Sequence, residues 1–433
     1  TIKIDNNMIN EKCLYPKPIF SARFNIALLL LLLWTLAQLL VPINFLPYDV
    51  LHNIEYLKIT TPILVIMFLT LFYVNRLLVG NILWPFFLFN ILVLTIFFVK
   101  YFFLGVGLGT LQDLFKYIVW SIAIFILFPS ILNSLYKVKI FLRVSVILIS
   151  LFFIFITLIT LYFNIDVPYL NSGRLTLFYK NPLYLGGISY SLLCASLILR
   201  ELSDSNFEKR ILVVLIVVSM WALYLSYART FALATFIIYV AYSFNISNNF
   251  KKLLLFNFFI LLLLIAAYFI FLENINLNKI SSGRLLNWES TINNNVDYIQ
   301  FILGSYVDSG YTQMLYPDSG APIKQTFQRF ANDNTYLEIF INTGAIGLLL
   351  FILGLKRLFP TGMMRRLKKV DREGRLVRIL SLTYAILISL IITGFFYGSF
   401  PSIGNTMNSI VFPVVVSIIL ILKRHIIAIR RLK

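Results

Sequence analysis

Residues 24–41 read FNIALLLLLLWTLAQLLV, a run of eighteen residues without a charged side chain. At a rise of about 1.5 Å per residue, a helix of this length crosses most of a hydrocarbon core of roughly 30 Å. The run is longer than the apolar core of a signal peptide, and no small-residue cleavage pattern follows it, so we expect a retained span. Similar apolar runs recur as far as Leu422. The sequence therefore predicts an all-α, polytopic integral membrane protein.

Composition and charge agree with this class. Apolar residues make up 60% and charged residues 13% of the 433 residues, and the mean hydropathy is +0.87. A soluble domain has roughly 25% charged residues. The net charge is +19, but the basic residues are dispersed between apolar runs, so we expect membrane lipid and no nucleic acid as a partner. The two cysteines, Cys13 and Cys194, predict neither a disulfide framework nor a metal site.

The apolar runs predict twelve spans and their orientation. The predicted spans are 24–43, 60–75, 80–99, 114–132, 141–163, 183–199, 211–226, 230–246, 253–272, 336–355, 379–396 and 409–422. With the N-terminus inside, 27 of the 37 basic residues fall in the inner segments. This distribution satisfies the positive-inside rule and predicts that both termini are cytoplasmic.

Two external segments are longer than the other connections. The predicted organisation is a first helical region, 1–272, with an external loop at 164–182, then an external cap loop, 273–335, and a last helical region, 336–433. The cap loop is rich in aromatic residues, which a disordered linker would lack, so we expect a folded cap with short helices. Within it, segment 281–303 has apolar residues at helical spacing.

Four external arginines form the first candidate site. Arg174 and Arg284 lie in the same tetrapeptide, Ser-Gly-Arg-Leu, and Arg229 and Arg329 lie in other external segments. A preceding glycine lets the backbone approach a ligand, and the planar guanidinium matches phosphate oxygens, so a pair of arginines suits a pyrophosphate. The alternative for each arginine is a contact with lipid headgroups at the membrane boundary.

Arg229 lies between two apolar runs, at the only position where a span looks broken. Because a charge at the bilayer centre costs about 3 kcal/mol or more, we expect Arg229 near the outer surface or in a polar cavity. The alternative is an anchor at the tip of a helical hairpin.

Segment 332–338, NDNTYLE, is the second candidate site. Thr335 as N-cap with Glu338 at the third helical position fits a capping box, which leaves Asp333 unexplained. An aspartate at an outward helix N-terminus could act as a general base toward a sugar hydroxyl or could only orient the substrate.

Four further positions have structural interpretations. Gly344 and Gly347 follow within the tenth predicted span and are expected to allow close helix packing. Asn181 and Pro182 fit the N-cap and the first residue of the sixth helix.

In their order and external placement, these motifs resemble the family of O-antigen polymerases and O-antigen ligases of bacterial surface polysaccharide assembly. The matching residues are Gly173-Arg174 with Asn181-Pro182, Ser226-Tyr-Ala-Arg229, Arg284-Leu-Leu-Asn-Trp288 with Gly304, and Asp333-Asn334-Thr-Tyr336-Leu337 with Gly344-Ala-Ile-Gly347. The resemblance covers residues 165–355 in detail and the rest of the chain as topology.

The resemblance implies a GT-C-like membrane glycosyltransferase in the bacterial inner membrane. Its donor would be an oligosaccharide on undecaprenyl pyrophosphate, polymerised at the outer face with inversion and without a metal or other cofactor. Carried over by position, Asp333, Arg174 and Arg284 would be catalytic. The substrate contacts would be Arg229, Trp288, Asn334, Tyr336 and Arg329. A chain-length regulator is a possible protein partner in this family.

Two alternatives stay open at this point. Ligases of the family typically have a histidine where this chain has Asp333, so polymerisation is favoured over ligation. A flippase or other transporter of lipid-linked oligosaccharides belongs to a different class. Such a protein would have broken helices near the membrane centre and repeats of hydropathy.

Overall fold

The computed structural model describes the greater part of the predicted helices. The described residues are 22–40, 84–104, 118–119, 121–162, 182–226, 228–246, 301–302, 304, 311–315, 323–327, 334–359, 362–371, 374–396 and 410–431. The predicted spans 60–75 and 253–272 and most of the cap loop lie outside these residues.

Helices dominate the described part of the chain. The helices are α1 (Ala22–Leu40), α2 (Trp84–Leu104), α3 (Phe128–Ile131), α4 (Leu135–Tyr162), α5 (Pro182–Leu202), α6 (Asn206–Leu225), α7 (Arg229–Ile246), α8 (Thr335–Arg357), α9 (Met363–Val370), α10 (Arg375–Phe396) and α11 (Phe412–Arg431), with a π-helical segment at Ala123–Leu127 directly before α3. Four of them contain a stretch long and apolar enough to cross a membrane, at Leu135–Leu158, Leu183–Leu202, Thr335–Arg357 and Arg375–Gly394. This finding agrees with a membrane protein, while the number of spans stays a prediction.

The described helices coincide with predicted spans but extend beyond several of them. Helix α6 begins at Asn206 because Ser205 caps it, accepting a hydrogen bond from the Glu208 N–H at 3.4 Å. Helix α11 continues to Arg431, well past the predicted end of the span at residue 422. Hydropathy identifies the part of a helix whose side chains are stable in lipid. Capping residues and charged side chains allow the helix to continue into the polar membrane interface.

Helix α5 lies at the centre of the bundle. It contacts α4, α6, α7 and α10, and its side chains at Leu185, Tyr190 and Leu193 are fully buried. Helices α4 and α6 instead keep large apolar side chains exposed on one face, among them Leu151, Phe155, Val214 and Trp221. An apolar surface of this kind suits hydrocarbon chains as the surrounding solvent.

Contacts between helix ends fix the relative directions of five helices. At the start of α4, Arg143 binds Glu208 at the start of α6, with N to O distances of 2.8 and 2.9 Å. At the start of α10, Arg378 lies 3.3 Å from Glu201 at the end of α5, and Tyr242 near the end of α7 donates to the same carboxylate at 3.3 Å. Neighbouring helices therefore alternate in direction, as the sequence predicts for successive spans.

We call this end of the bundle the charged end. It is defined by Lys139, Arg143, Glu201, Asp204, Glu208, Arg375 and Arg378. The connections that meet there are among those predicted to be cytoplasmic.

Helix α8 is interrupted in its interior. Gly344 has φ 69° and ψ −173°, a conformation outside the helical region, while the helix continues on both sides. The expectation that only the region of Arg229 breaks a span is therefore wrong. The sequence gives no clear sign of the interruption, because an isolated glycine without a neighbouring proline is tolerated within a helix. Of the two glycines predicted to allow close helix packing, Gly347 faces Leu92 of α2 and, more closely, Thr343 of its own helix. Gly354, which was not predicted, packs directly against the Phe86 ring of α2.

A β-hairpin lies within the predicted cap loop. Strands β1 (Tyr311–Leu315) and β2 (Ile323–Phe327) pair antiparallel, with Tyr311 opposite Phe327 and Leu315 opposite Ile323. The prediction of a cap made of short helices is therefore incomplete, because it did not include this hairpin. In the predicted helical segment 281–303, residues 301 and 302 are described and helical.

Candidate functional site

The predicted external site belongs at the end of the bundle opposite the charged end. At the charged end, three cations of α4 and α10 approach two carboxylates: Lys139 and Arg375 lie 2.9 and 2.8 Å from Asp204, and Arg143 holds Glu208. A hydrogen bond from Lys139, assisted by the charge of Arg375, holds the pKa of Asp204 below its ordinary value. These two carboxylates join helices through ion pairs, and neither is among the predicted site residues.

Arg229 begins α7 at that opposite end and is exposed. Its helix leads away to Tyr242 at the charged end, and thirteen residues of helix span roughly 20 Å. The expectation that this charge stays away from the membrane centre remains a prediction.

The first turn of α7 is pressed against the first turns of α5. A Cβ added to Gly186 would lie 2.5 Å from the Ala228 Cβ and 2.9 Å from the Phe231 Cδ2, so only a glycine fits there. Helix α5 begins at Pro182, as the sequence predicts. Arg229 therefore lies beside the helix that follows the external loop 164–182.

Asn334 caps α8. Its side-chain Oδ1 accepts hydrogen bonds from the N–H groups of Tyr336 at 3.0 Å and Leu337 at 3.1 Å, and the residue is buried. The prediction of Thr335 as N-cap is therefore wrong by one residue. Asn334 has the extended backbone of an N-cap residue, and its side chain accepts hydrogen bonds as a threonine N-cap would. Thr335 is instead a buried residue of the first turn.

Tyr336 joins the start of α8 to the later part of α10. Its hydroxyl donates to the Ile391 carbonyl oxygen at 2.7 Å, and its ring meets Phe351 edge to face at 6.4 Å between centroids. Because α10 begins at the charged end, this bond brings the start of α8 to the opposite end, where Arg229 lies. The hydroxyl that was predicted to contact substrate thus has a structural partner.

Ile302 and Gly304, within the predicted cap loop, touch the interruption of α8. A Cβ on Gly304 would lie 2.6 Å from the Asn342 carbonyl carbon, and one on Gly344 would collide with the Ile302 carbonyl group. Phe301 also packs against Phe340, with ring centroids 5.4 Å apart. Gly304 and Gly344, which belong to different motifs of the sequence, therefore lie next to each other.

Five of the predicted site residues lie outside the described residues: Asp333, Arg174, Arg284, Trp288 and Arg329. Asp333 directly precedes the capping Asn334 in the sequence. The other four residues belong to the external loop and the cap loop.

The described part of the site offers a cation and two ordered helix starts. Among the described residues, no group of three or more histidine, cysteine, aspartate or glutamate side chains converges on one point.

The sequence reasoning missed the carboxylates of the charged end, although Glu201, Asp204 and Glu208 stand out as three acids within one short connection between spans.

No protein-family model and no curated protein matches this sequence.

Proposed function

We propose that this protein is a membrane glycosyltransferase that polymerises oligosaccharide units carried on a polyprenyl pyrophosphate. The observation that carries the proposal is that Arg229 and the Asn334-capped start of α8 share the end of the bundle opposite the charged end. Both belong to motifs that resemble those of O-antigen polymerases. An external site of this kind requires these motifs to meet at one membrane face.

The proposed reaction transfers a sugar from the lipid to a hydroxyl group. The acceptor oxygen attacks the anomeric carbon, the bond from that carbon to the pyrophosphate oxygen breaks, and the pyrophosphate leaves with the electron pair. Arg174 and Arg284, with Arg229 beside them, would stabilise the charge that develops on the leaving group. Asp333 would accept the hydroxyl proton or hold the hydroxyl in position.

A transport function is the second candidate because of the interruption of α8 at Gly344. Transporters often have discontinuous helices near the membrane centre, with unwound backbone at the substrate site. In this protein the interrupted backbone packs against Ile302 and Gly304, whose close approach accounts for the glycine. The polymerase therefore stays the leading proposal.

Deletion in the native host, followed by gel analysis of the surface polysaccharide, separates the candidates. A polymerase mutant loses the long ladder but keeps single repeat units attached to their acceptor. Complete loss of attached units would reject polymerisation and favour a flippase or a ligase.

Site variants in the complemented host test the residues. We expect Arg174→Ala, Arg284→Ala and Arg229→Ala to reduce chain growth, by roughly 100-fold for a guanidinium that contacts the leaving group. Arginine-to-lysine variants should recover it only in part, because an ammonium group lacks the planar fork. Arg210→Ala is the matched control for Arg229, since Arg210 is also an exposed arginine in the first turns of a helix but lies at the charged end.

Asp333→Asn tests the base separately because it preserves shape and hydrogen bonding. A strong loss of activity supports proton transfer, and near-normal activity leaves Asp333 with an orienting role. Normal ladders from the alanine variants of both Arg174 and Arg284 would reject the pyrophosphate assignment.

A further inference from the structure

Helix α9 carries four cations on eight residues, MMRRLKKV, between α8 and α10. Its apolar side is fixed to the bundle, because Met363 and Leu367 are buried and α9 contacts α10 and α11. The cations Arg365, Arg366, Lys368 and Lys369 are all exposed. The helix therefore holds its positive charge in a defined direction, unlike a flexible basic linker.

Two further cations adjoin α9. Arg357 ends α8 and is exposed, and Lys423 is a half-buried residue in the second half of α11, the helix that α9 contacts. Partial burial and the nearby charge of Arg357 together lower the pKa of Lys423. We call these residues the basic patch: Arg357, Arg365, Arg366, Lys368, Lys369 and Lys423.

The acidic residues near the patch have other partners. Glu201 and Asp204 pair with Arg378 and Arg375 of α10, and Asp371 Oδ2 accepts the Val377 N–H at 2.9 Å. Within the described ranges, none of the four α9 cations forms an ion pair. The four α9 cations thus carry positive charge that no ion pair in the described part of the chain neutralises.

The contacts of α9 set its level along α10. The Met364 sulfur lies 3.8 Å from the Ser381 hydroxyl, and the Met363 sulfur lies 3.5 Å from the Tyr384 hydroxyl. These two residues of α10 lie roughly 9 and 14 Å along the helix from its first residue, Arg375. Helix α9 therefore lies beside an apolar helix and not beyond its end.

An aromatic side chain marks the same level. The Arg357 guanidinium lies over the exposed indole ring of Trp84, 5.8 Å from its centroid, at the start of α2. Tryptophan is enriched where membrane meets water, and a cation at that depth faces the phosphate groups of the lipids.

We propose that the basic patch binds the headgroups of anionic phospholipids in the adjoining leaflet. The charge complementarity and the depth of α9 both favour a lipid over a soluble polyanion, which would approach from beyond the helix ends. This role is independent of the glycosyltransferase proposal because the patch lies at the other end of the bundle.

A binding titration tests this proposal on the full-length protein in neutral detergent. Phosphatidylglycerol with a fluorescent acyl chain is titrated and its anisotropy is recorded, with equally labelled phosphatidylcholine as the zwitterionic reference. We expect tighter binding of phosphatidylglycerol, and a preference that falls at high ionic strength.

Matched variants assign the binding to the patch. Arg365→Gln/Lys369→Gln removes two cations that point away from the buried Met363 and Leu367, so the packing of α9 should persist. We expect a loss of roughly five-fold in phosphatidylglycerol affinity per charge removed, with phosphatidylcholine unchanged. Lys209→Gln/Arg210→Gln removes the same charge from α6, at the same end of the bundle, and should change the affinity much less. If the α9 double variant fails to fold, Lys369→Gln alone gives the same comparison.

Three outcomes would overturn the proposal. They are equal binding of both lipids by the wild type, equal losses in the two double variants, and selective binding of a soluble RNA or acidic peptide without a lipid preference. The last outcome would assign the patch to a soluble partner.

Discussion

Gly304 and Gly344 approach each other so closely that neither can carry a side chain. A Cβ on Gly344 would lie 2.6 Å from the Gly304 backbone nitrogen, and both residues have positive φ, 69° and 88°. The described residues Ile302 and Gly304 of the predicted cap loop are therefore held, backbone to backbone, against the helix that Asn334 caps. This contact connects two parts of the candidate site that are separated in sequence.

We expect Gly344→Ala to destabilise the protein strongly. The substitution adds backbone strain, because residues other than glycine avoid this region, and it adds a collision with the Ile302 carbonyl group. The expected loss is about 3 kcal/mol or more in the free energy of unfolding. Thermal unfolding of the purified protein in detergent measures it.

Gly362→Ala is the matched control for that measurement. Gly362 also has a positive φ, 73°, but an added Cβ there would meet nothing closer than the Arg366 Nε at 3.8 Å. Its loss should be limited to the backbone term of about 1 kcal/mol. Equal effects of the two substitutions would show that the contact with Ile302 and Gly304 contributes little.

Asn334 allows capping to be separated from substrate binding. We expect Asn334→Ala to cost about 1 kcal/mol of stability, because two N–H groups of α8 lose their acceptor. Asn334→Asp keeps the acceptor and should restore the unfolding temperature. If Asn334 also contacts substrate through its amide N–H donors, the aspartate variant stays defective in chain growth. Recovery of both properties would limit Asn334 to capping.

Much of the helical architecture could be predicted from the sequence because hydropathy and helix length reflect the same physical requirement. The predicted span 183–199 lies within α5, and Pro182 begins its helix as expected. The predicted span 336–355 is helical on both sides of Gly344 but is interrupted there. The direction of successive helices also follows, since charged segments such as the one around Asp204 gather at one end.

The details of the site could not be predicted in this way. Asn334 and Thr335 are both good N-caps, and the choice between them depends on which residue takes up extended backbone. The interruption at Gly344 depends on a tertiary contact with Ile302, more than forty positions earlier in the sequence. Periodicity reports neither a one-residue shift of a cap nor a distant backbone contact.

Tyr336→Phe tests whether the hydroxyl is structural. The substitution leaves the Ile391 carbonyl oxygen without this donor, and we expect a loss of about 1 kcal/mol while the ring contact with Phe351 persists. Tyr384→Phe is the control, because that hydroxyl donates only to the Met363 sulfur at 3.5 Å, a weak acceptor. Unfolding temperatures of the two variants should therefore differ. A stable Tyr336→Phe variant with defective chain growth would instead return the hydroxyl to the substrate site.

The ion pairs of the charged end should make stability depend on pH in the acid range. Partial burial raises the pKa of Glu208, but hydrogen bonds from Arg143 and Ser203 outweigh it, so the pKa lies below its ordinary value. The pKa of Asp204 is lowered as well. A carboxyl group with a lowered folded-state pKa contributes stability above its unfolded pKa of about 4, and this contribution disappears as the pH falls through the folded pKa. Because Arg143 is about half exposed, we expect the Glu208 pair to contribute about 1 kcal/mol at neutral pH.

Unfolding of the wild type and of Glu208→Gln, followed in detergent from neutral to acid pH, should give curves that converge at low pH. Parallel curves would show that the pair does not stabilise the charged end.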